Sequence, residues 1–155
     1  MKVFVLKKGD EIGEKQIGEK EDNIHIKKSE KFNYIVINNP KDSNSICTIK
    51  EIKILNKDIP NKLCLMGGEE ELYKDIEETT ILDKIGIFNV KIKQEEKEDE
   101  RNLEIETNEL LENEECNILK NSVLIILPKG CLFIKLDKEV NDLHMNINWT
   151  SEKIH

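Results

Sequence analysis

Residues 121–137 read NSVLIILPKGCLFIKLD. Two apolar runs, SVLIILP and CLFIKL, stand back to back around Pro128, Lys129 and Gly130. Each run is apolar at odd and even positions alike, so a strand made from it has no polar face to give to water. A single buried helix is the competing reading. Pro128 and Gly130 at its centre would cost about 3 and about 1 kcal/mol in helix propensity. Pro fixes φ and Gly accepts a positive φ, which suits a tight turn. The stretch therefore predicts the two arms of a core β-hairpin, covered on both sides within a two-layer sheet.

Outward from this stretch, the chain offers more strands. KVFVLKK (2–8) is apolar on both faces, which predicts burial on both sides, and Gly9-Asp10 ends it. NIHIKK (23–28) alternates, with Ile24 and Ile26 inward and His25 outward. KFNYIVINN (31–39) is a strong strand ended by turn formers. In SICTIKEIKIL (45–55) the apolar spacing slips, which predicts a strand with a bulge. NKLCLMGG (61–68) is a short strand, with Gly67-Gly68 as its turn. KIGIFNVKIK (84–93) changes phase between Ile87 and Phe88, again as a bulge would. NLEIET (102–107) alternates with acids and predicts a half-exposed strand. LHMNINW (143–149) puts Leu143, Met145, Ile147 and Trp149 on one face as the last core strand, leaving His144 outward. Residues 107–121 have room for one or two helical turns. The expected fold is all-β: one domain over residues 1–155, a β-sandwich or jelly roll of about nine or ten short antiparallel strands with at most short helical pieces.

Composition bounds function more by exclusion. The 155 residues include no alanine, and Arg101 is the sole arginine among 24 basic residues. Heavy use of Ile, Lys and Asn follows the AT-rich codons of these residues, and it leans the chain towards strands. The net charge of −8 is concentrated. Residues 69–83 hold seven acids and one Lys, and residues 94–115 hold 11 acids and two bases. The second segment is expected to be an acidic loop or insertion. Scattered lysines without aromatic–basic interleaving argue against nucleic acid. No apolar run is long enough for a membrane helix, and the N-terminus lacks a signal-peptide pattern. An intracellular protein, or one assembled into a particle, is expected.

Motifs for chemistry are few. Cys47, Cys64, Cys116 and Cys131 form no Cys-x-x-Cys pair, and the first, second and fourth read as buried thiols. His25 and His144 lie in HIK and HMN, without the His-x-His pair of a cupin-type centre, so no metal site and no cofactor are expected. Nucleophile-elbow, phosphate-loop and dinucleotide motifs are absent, so no catalytic residue is expected. The expectation is a non-enzymatic structural protein that binds protein partners or itself as a homo-oligomer: a coat, virion, appendage or accessory subunit. Its candidate partner-binding residues are the acids Glu95, Glu96, Glu98, Asp99, Glu100, Glu112, Glu114 and Glu115.

The segments MKVFVLKKGDEI, NIHI and KGCLFIKLDKEVNDLHMNINW resemble, in outline, the strand order of nucleoplasmin-type cores. Those are small acidic jelly rolls that form pentamers and bind histones. The resemblance covers only part of the chain. EVND (139–142) stands where that family has a glycine-rich turn. It implies, as the alternative to the structural reading, a chaperone-like module that holds a basic protein through acidic loops.

Overall fold

The computed structural model describes residues 2–8, 19–69, 81–85, 88–93 and 103–154; for 81–85, 88–91 and 93 it describes the backbone alone. The chain is all-β, an antiparallel sheet nearly closed as a barrel, with no helix among the described residues. Ten strands follow in order: β1 (Val3–Lys7), β2 (Lys20–Asn38), β3 (Ser45–Asn56), β4 (Asn61–Glu69), β5 (Ile81–Ile85), β6 (Phe88–Lys93), β7 (Leu103–Leu110), β8 (Glu115–Asn117), β9 (Ser122–Ile126) and β10 (Gly130–Lys153).

Two of these strands are long, not short. β2 has 19 residues and β10 has 24. The pieces 23–28 and 31–39, expected to be separate, are one strand, and CLFIKL and LHMNINW are likewise the two halves of β10. β2 and β10 pair along most of their length and bend together, with register shifts between Lys135 and Asp142. Beyond the bend the neighbours change. Residues 131–135 of β10 lie between β2 and β4, and residues 143–149 lie between β2 and β3. The shared pair thus passes from one wall of the barrel to the other. The inward side chains of both halves, among them Leu132, Ile134, Leu143, Ile147 and Trp149, meet in one buried core with Ile35, Ile49, Leu65 and Leu124.

The bend is fastened by one side chain. Asn61 Nδ2 donates to the Lys138 carbonyl at 2.9 Å, and Asn61 Oδ1 accepts from the Lys138 amide at 3.0 Å. Other buried asparagines fasten chain reversals in the same way. Asn39 Nδ2 donates to the carbonyls of Ser45 and Ile126, and Asn56 Nδ2 donates to Ile59 across the β3–β4 turn. Backbone groups taken out of water at a strand end need partners, and a short amide side chain supplies a donor and an acceptor together.

The opening stretch folds differently from its expectation. The turn is present: the Gly130 amide donates to the Leu127 carbonyl at 2.8 Å, and Lys129 has φ 73°. Its arms, however, do not form a hairpin. β9 pairs with β1 and β3, while β10 pairs with β2, β3 and β4. Backbone groups at the turn are claimed by other segments, Leu127 by Lys2 and Lys129 by Asn39. The turn carries the chain from one wall to another. Gly130 is required there, because a Cβ would lie 2.7 Å from both Ile126 Cγ2 and the Lys2 carbonyl oxygen.

Three further expectations are corrected. β4 runs through Gly67 and Gly68 instead of turning there, and Val3 Cγ1 would lie 3.0 Å from a Cβ on Gly67. The missing side chain lets β1 approach β4 as the barrel nears closure. Residues 84–93 divide into β5 and β6, an antiparallel pair with Ile85 opposite Phe88. The phase slip therefore marks a reversal, with Gly86 and Ile87 outside the described residues. Residues 107–121 hold the end of β7, a turn and β8, with no helical turn. The bulge expected in β3 is present: Asn148 faces Glu51 and Trp149 faces Ile49, leaving Lys50 as the extra residue.

Candidate functional site

The outer face of the wall formed by β2, β10, β3 and β8 is polar. Alternation that buries Ile24, Ile26, Leu143, Met145 and Ile147 turns Asn23, His25, His144 and Asn146 outward. Strand register then lines these residues up in rows. His25 faces His144, His144 faces Leu55, and Leu55 faces Glu115. In the next row Asn23 faces Asn146, Asn146 faces Lys53, and Lys53 faces Asn117. Between the rows lies a cleft of about 350 Å³, lined by Asn23, His25, Lys53, Glu115, His144 and Asn146 among others.

The two histidines stack face to face, with ring centroids 3.9 Å apart and planes at 12°. Asp142 precedes His144 by two residues and so points to the same face. Its Oδ1 accepts from His25 Nε2 at 2.6 Å and lies 3.7 Å from His144 Nε2. The hydrogen bond from His25 holds the Asp142 carboxyl below its usual range, against an opposing effect of desolvation and helped by the nearby charges of His25, His144 and Lys27. Asn146 Nδ2 donates to Glu21 Oε1 at 2.8 Å and to Asn23 Oδ1 at 2.6 Å, which fixes the floor of the second row. Lys53 bridges Glu51 at 3.1 Å and Glu115 at 4.0 Å.

Sequence spacing weighed ligands along one strand at a time. The structure brings His25 and His144 together across two strands, 119 positions apart in the chain. The usable signal was their shared outward phase on two alternating strands, with Asp142 two residues from His144. Strand pairing was the missing information.

Of the acids selected from sequence, Glu95, Glu96, Glu98, Asp99 and Glu100 lie outside the described residues. Glu112 and Glu114 are exposed in the turn between β7 and β8, and Glu115 opens β8, exposed on the rim of the cleft. The sequence selected Glu115 for its charge alone; its place beside the histidine pair follows from the pairing of β8 with β3.

β1 departs from its expectation of burial on both faces. Val3 is buried, but Phe4, Val5 and Leu6 are 42 %, 38 % and 42 % exposed. Among the described residues β1 pairs only with β9. Cys47 and Cys131 are buried, Cys64 and Cys116 half-buried, and all four are free thiols. Burial pushes the Cys47 thiol up to about 12, against a weaker lowering by Lys20, which makes it a poor nucleophile. No helix among the described residues is long and apolar enough to cross a membrane. No family model, no curated protein and no solved structure matches the chain.

Proposed function

We propose that this protein is a non-enzymatic all-β subunit that works through protein–protein contacts, with β1 as the strand that docks a second copy of the chain. The observation that carries this reading is the run of three exposed apolar side chains, Phe4, Val5 and Leu6, on a strand that among the described residues pairs along one edge only. Such an edge offers unpaired N–H and C=O groups beside apolar surface, the combination that accepts an added strand. Charge favours a second copy as the occupant. β1 carries Lys7 and is flanked by Lys2 and Lys8, whereas β7, which among the described residues pairs with β4 alone, carries Glu104, Glu106 and Glu109 beside an exposed Leu103. A contact of β1 on one copy with β7 on the next is heterologous, and it builds a ring or a filament.

Light scattering after size exclusion, at low and high salt, tests this. A defined oligomer is expected. It should lose mass at high salt and become a monomer when Phe4→Lys and Leu6→Lys are combined. A monomer at every concentration would overturn the reading. The exposure of Glu112, Glu114 and Glu115 favours a second reading, a basic protein held by the acidic turn. That complex would form with monomeric protein, weaken with salt and survive the β1 substitutions.

A further inference from the structure

We propose that His25, His144 and Asp142 form a binding site for a borderline divalent transition-metal ion of the zinc class. One ligand atom from each lies within 4.8 Å of the other two. Two imidazole nitrogens and one carboxylate oxygen are a donor set that suits such ions and leaves coordination positions open. Calcium and magnesium are poor fits, since they want more oxygen ligands than one carboxylate offers. No cysteine belongs to the cluster, so a soft monovalent ion is not selected either.

The geometry is close to what the ion requires. Zinc–nitrogen bonds of about 2.0–2.1 Å in a tetrahedron put neighbouring ligand atoms about 3.3 Å apart. The Asp142–His25 and Asp142–His144 separations, 2.6 and 3.7 Å, fall on either side of that value. All three ligand atoms lie within 4.8 Å of one another. The backbone is also well fixed. β10 at His144 is paired on both sides, by β2 and β3, Asp142 pairs with Lys27 of β2 just beyond the bend, and the buried Ile24, Ile26, Leu143 and Met145 flank the site from the core side. A site built on paired strands keeps its ligands in place better than one on a loop. The ligand side chains are 31–45 % exposed, so an ion reaches them from solvent. The adjoining cleft, with Asn23, Asn146, Lys53 and Glu115 on its walls, gives the open positions room for water or a small anionic ligand.

The stacking of the two rings is informative in itself. Cross-strand histidines stacked at 3.9 Å direct their ring edges to the same side, and Asp142 stands at that edge. A purely structural His–Asp pair needs one imidazole; here a second lies within reach of the same carboxylate.

The test is titration of the full chain with Zn²⁺ by calorimetry and with Co²⁺ by visible absorption. One saturable ion per chain is expected, with cobalt bands of a low-coordinate nitrogen–oxygen site. His25→Ala, His144→Ala and Asp142→Asn should each weaken binding at least roughly tenfold. Circular dichroism should stay unchanged in these variants, because all three side chains point outward. His155→Ala serves as the control and should bind as the parent does. Absence of saturable one-to-one binding would overturn the proposal. So would binding that persists in the His25→Ala/His144→Ala double variant, or that millimolar Ca²⁺ abolishes, since either places the ion at other groups.

Discussion

β10 passes through two environments within one strand. In residues 130–136 the buried side chains fall on both faces. Leu132, Ile134 and Leu136 point into the main core, while Cys131 and Phe133 join a second cluster with Tyr34, Val36 and Met66. In residues 143–149 only alternate positions are buried, and His144, Asn146 and Asn148 face outward. Backbone, pairing partner β2 and antiparallel geometry are common to both halves. The difference lies in how many sides are covered, and it decides where chemistry can sit. A strand covered on both sides has spent all its side chains on packing. A strand covered on one side keeps every second residue free, and there the histidines, the carboxylate and the asparagine row assemble.

Substitutions along β10 should reproduce this asymmetry in chemical denaturation. In the first half both faces should be costly. Leu132→Ala should lose about 2–5 kcal/mol and Phe133→Ala, on the opposite face, about 3–5 kcal/mol. In the second half Met145→Ala should also lose about 2–5 kcal/mol, whereas its neighbour Asn146→Ala, which gives up only exposed hydrogen bonds, should lose about 1 kcal/mol. A small effect for Phe133→Ala would break the comparison, because it would mean that its face is not truly covered.

The join between the halves should rank next. Asn61→Ala leaves the Lys138 amide and carbonyl without their partner at the bend. A loss of about 1–3 kcal/mol is expected from unsatisfied backbone groups. At the entrance of the strand, Gly130→Ala forces a Cβ against Ile126 and the backbone of Lys2 and Leu127. Overpacking there should cost about 1–3 kcal/mol, and thermal melts would show whether β1 detaches first.

Cys47 tests the buried face by pH. Its thiol is raised from 9.0 to about 12 in the folded chain, so the unfolded chain releases the proton first. Its contribution to stability is intact below pH 9 and is lost as pH rises towards 12, at about 1.4 kcal/mol per pH unit. Comparing melts of the parent and Cys47→Val across this range isolates the effect; a parallel decline in both would contradict it.

Much of the fold was legible from alternation. Ile24, Ile26, Leu143, Met145, Ile147 and Trp149 are buried as their spacing required, and the bulge in β3 stands where the isoleucine phase slips. Pairing was not legible, because period-two patterns state which face a residue occupies and not which strand lies beside it. Thus the turn at Pro128–Gly130 has the pattern of a hairpin, although its arms enter different neighbourhoods. The exposure of β1 was hidden for the same reason, since an apolar edge strand and an apolar central strand look alike. The buried asparagines were equally silent. Heavy use of Asn reads as codon bias, yet Asn39, Asn56 and Asn61 close the reversals. The histidine cluster needed the β2–β10 register, and Glu115 reached it only through β8.

The most direct test of the proposed assembly is hydrogen exchange of β1 measured on dilute and on concentrated protein. The β1 amides that face away from β9 should gain protection as concentration rises, together with the β7 amides that face away from β4, while the β10 core stays protected throughout. Exchange in β1 that is fast and independent of concentration would contradict the docking of a second copy at this edge.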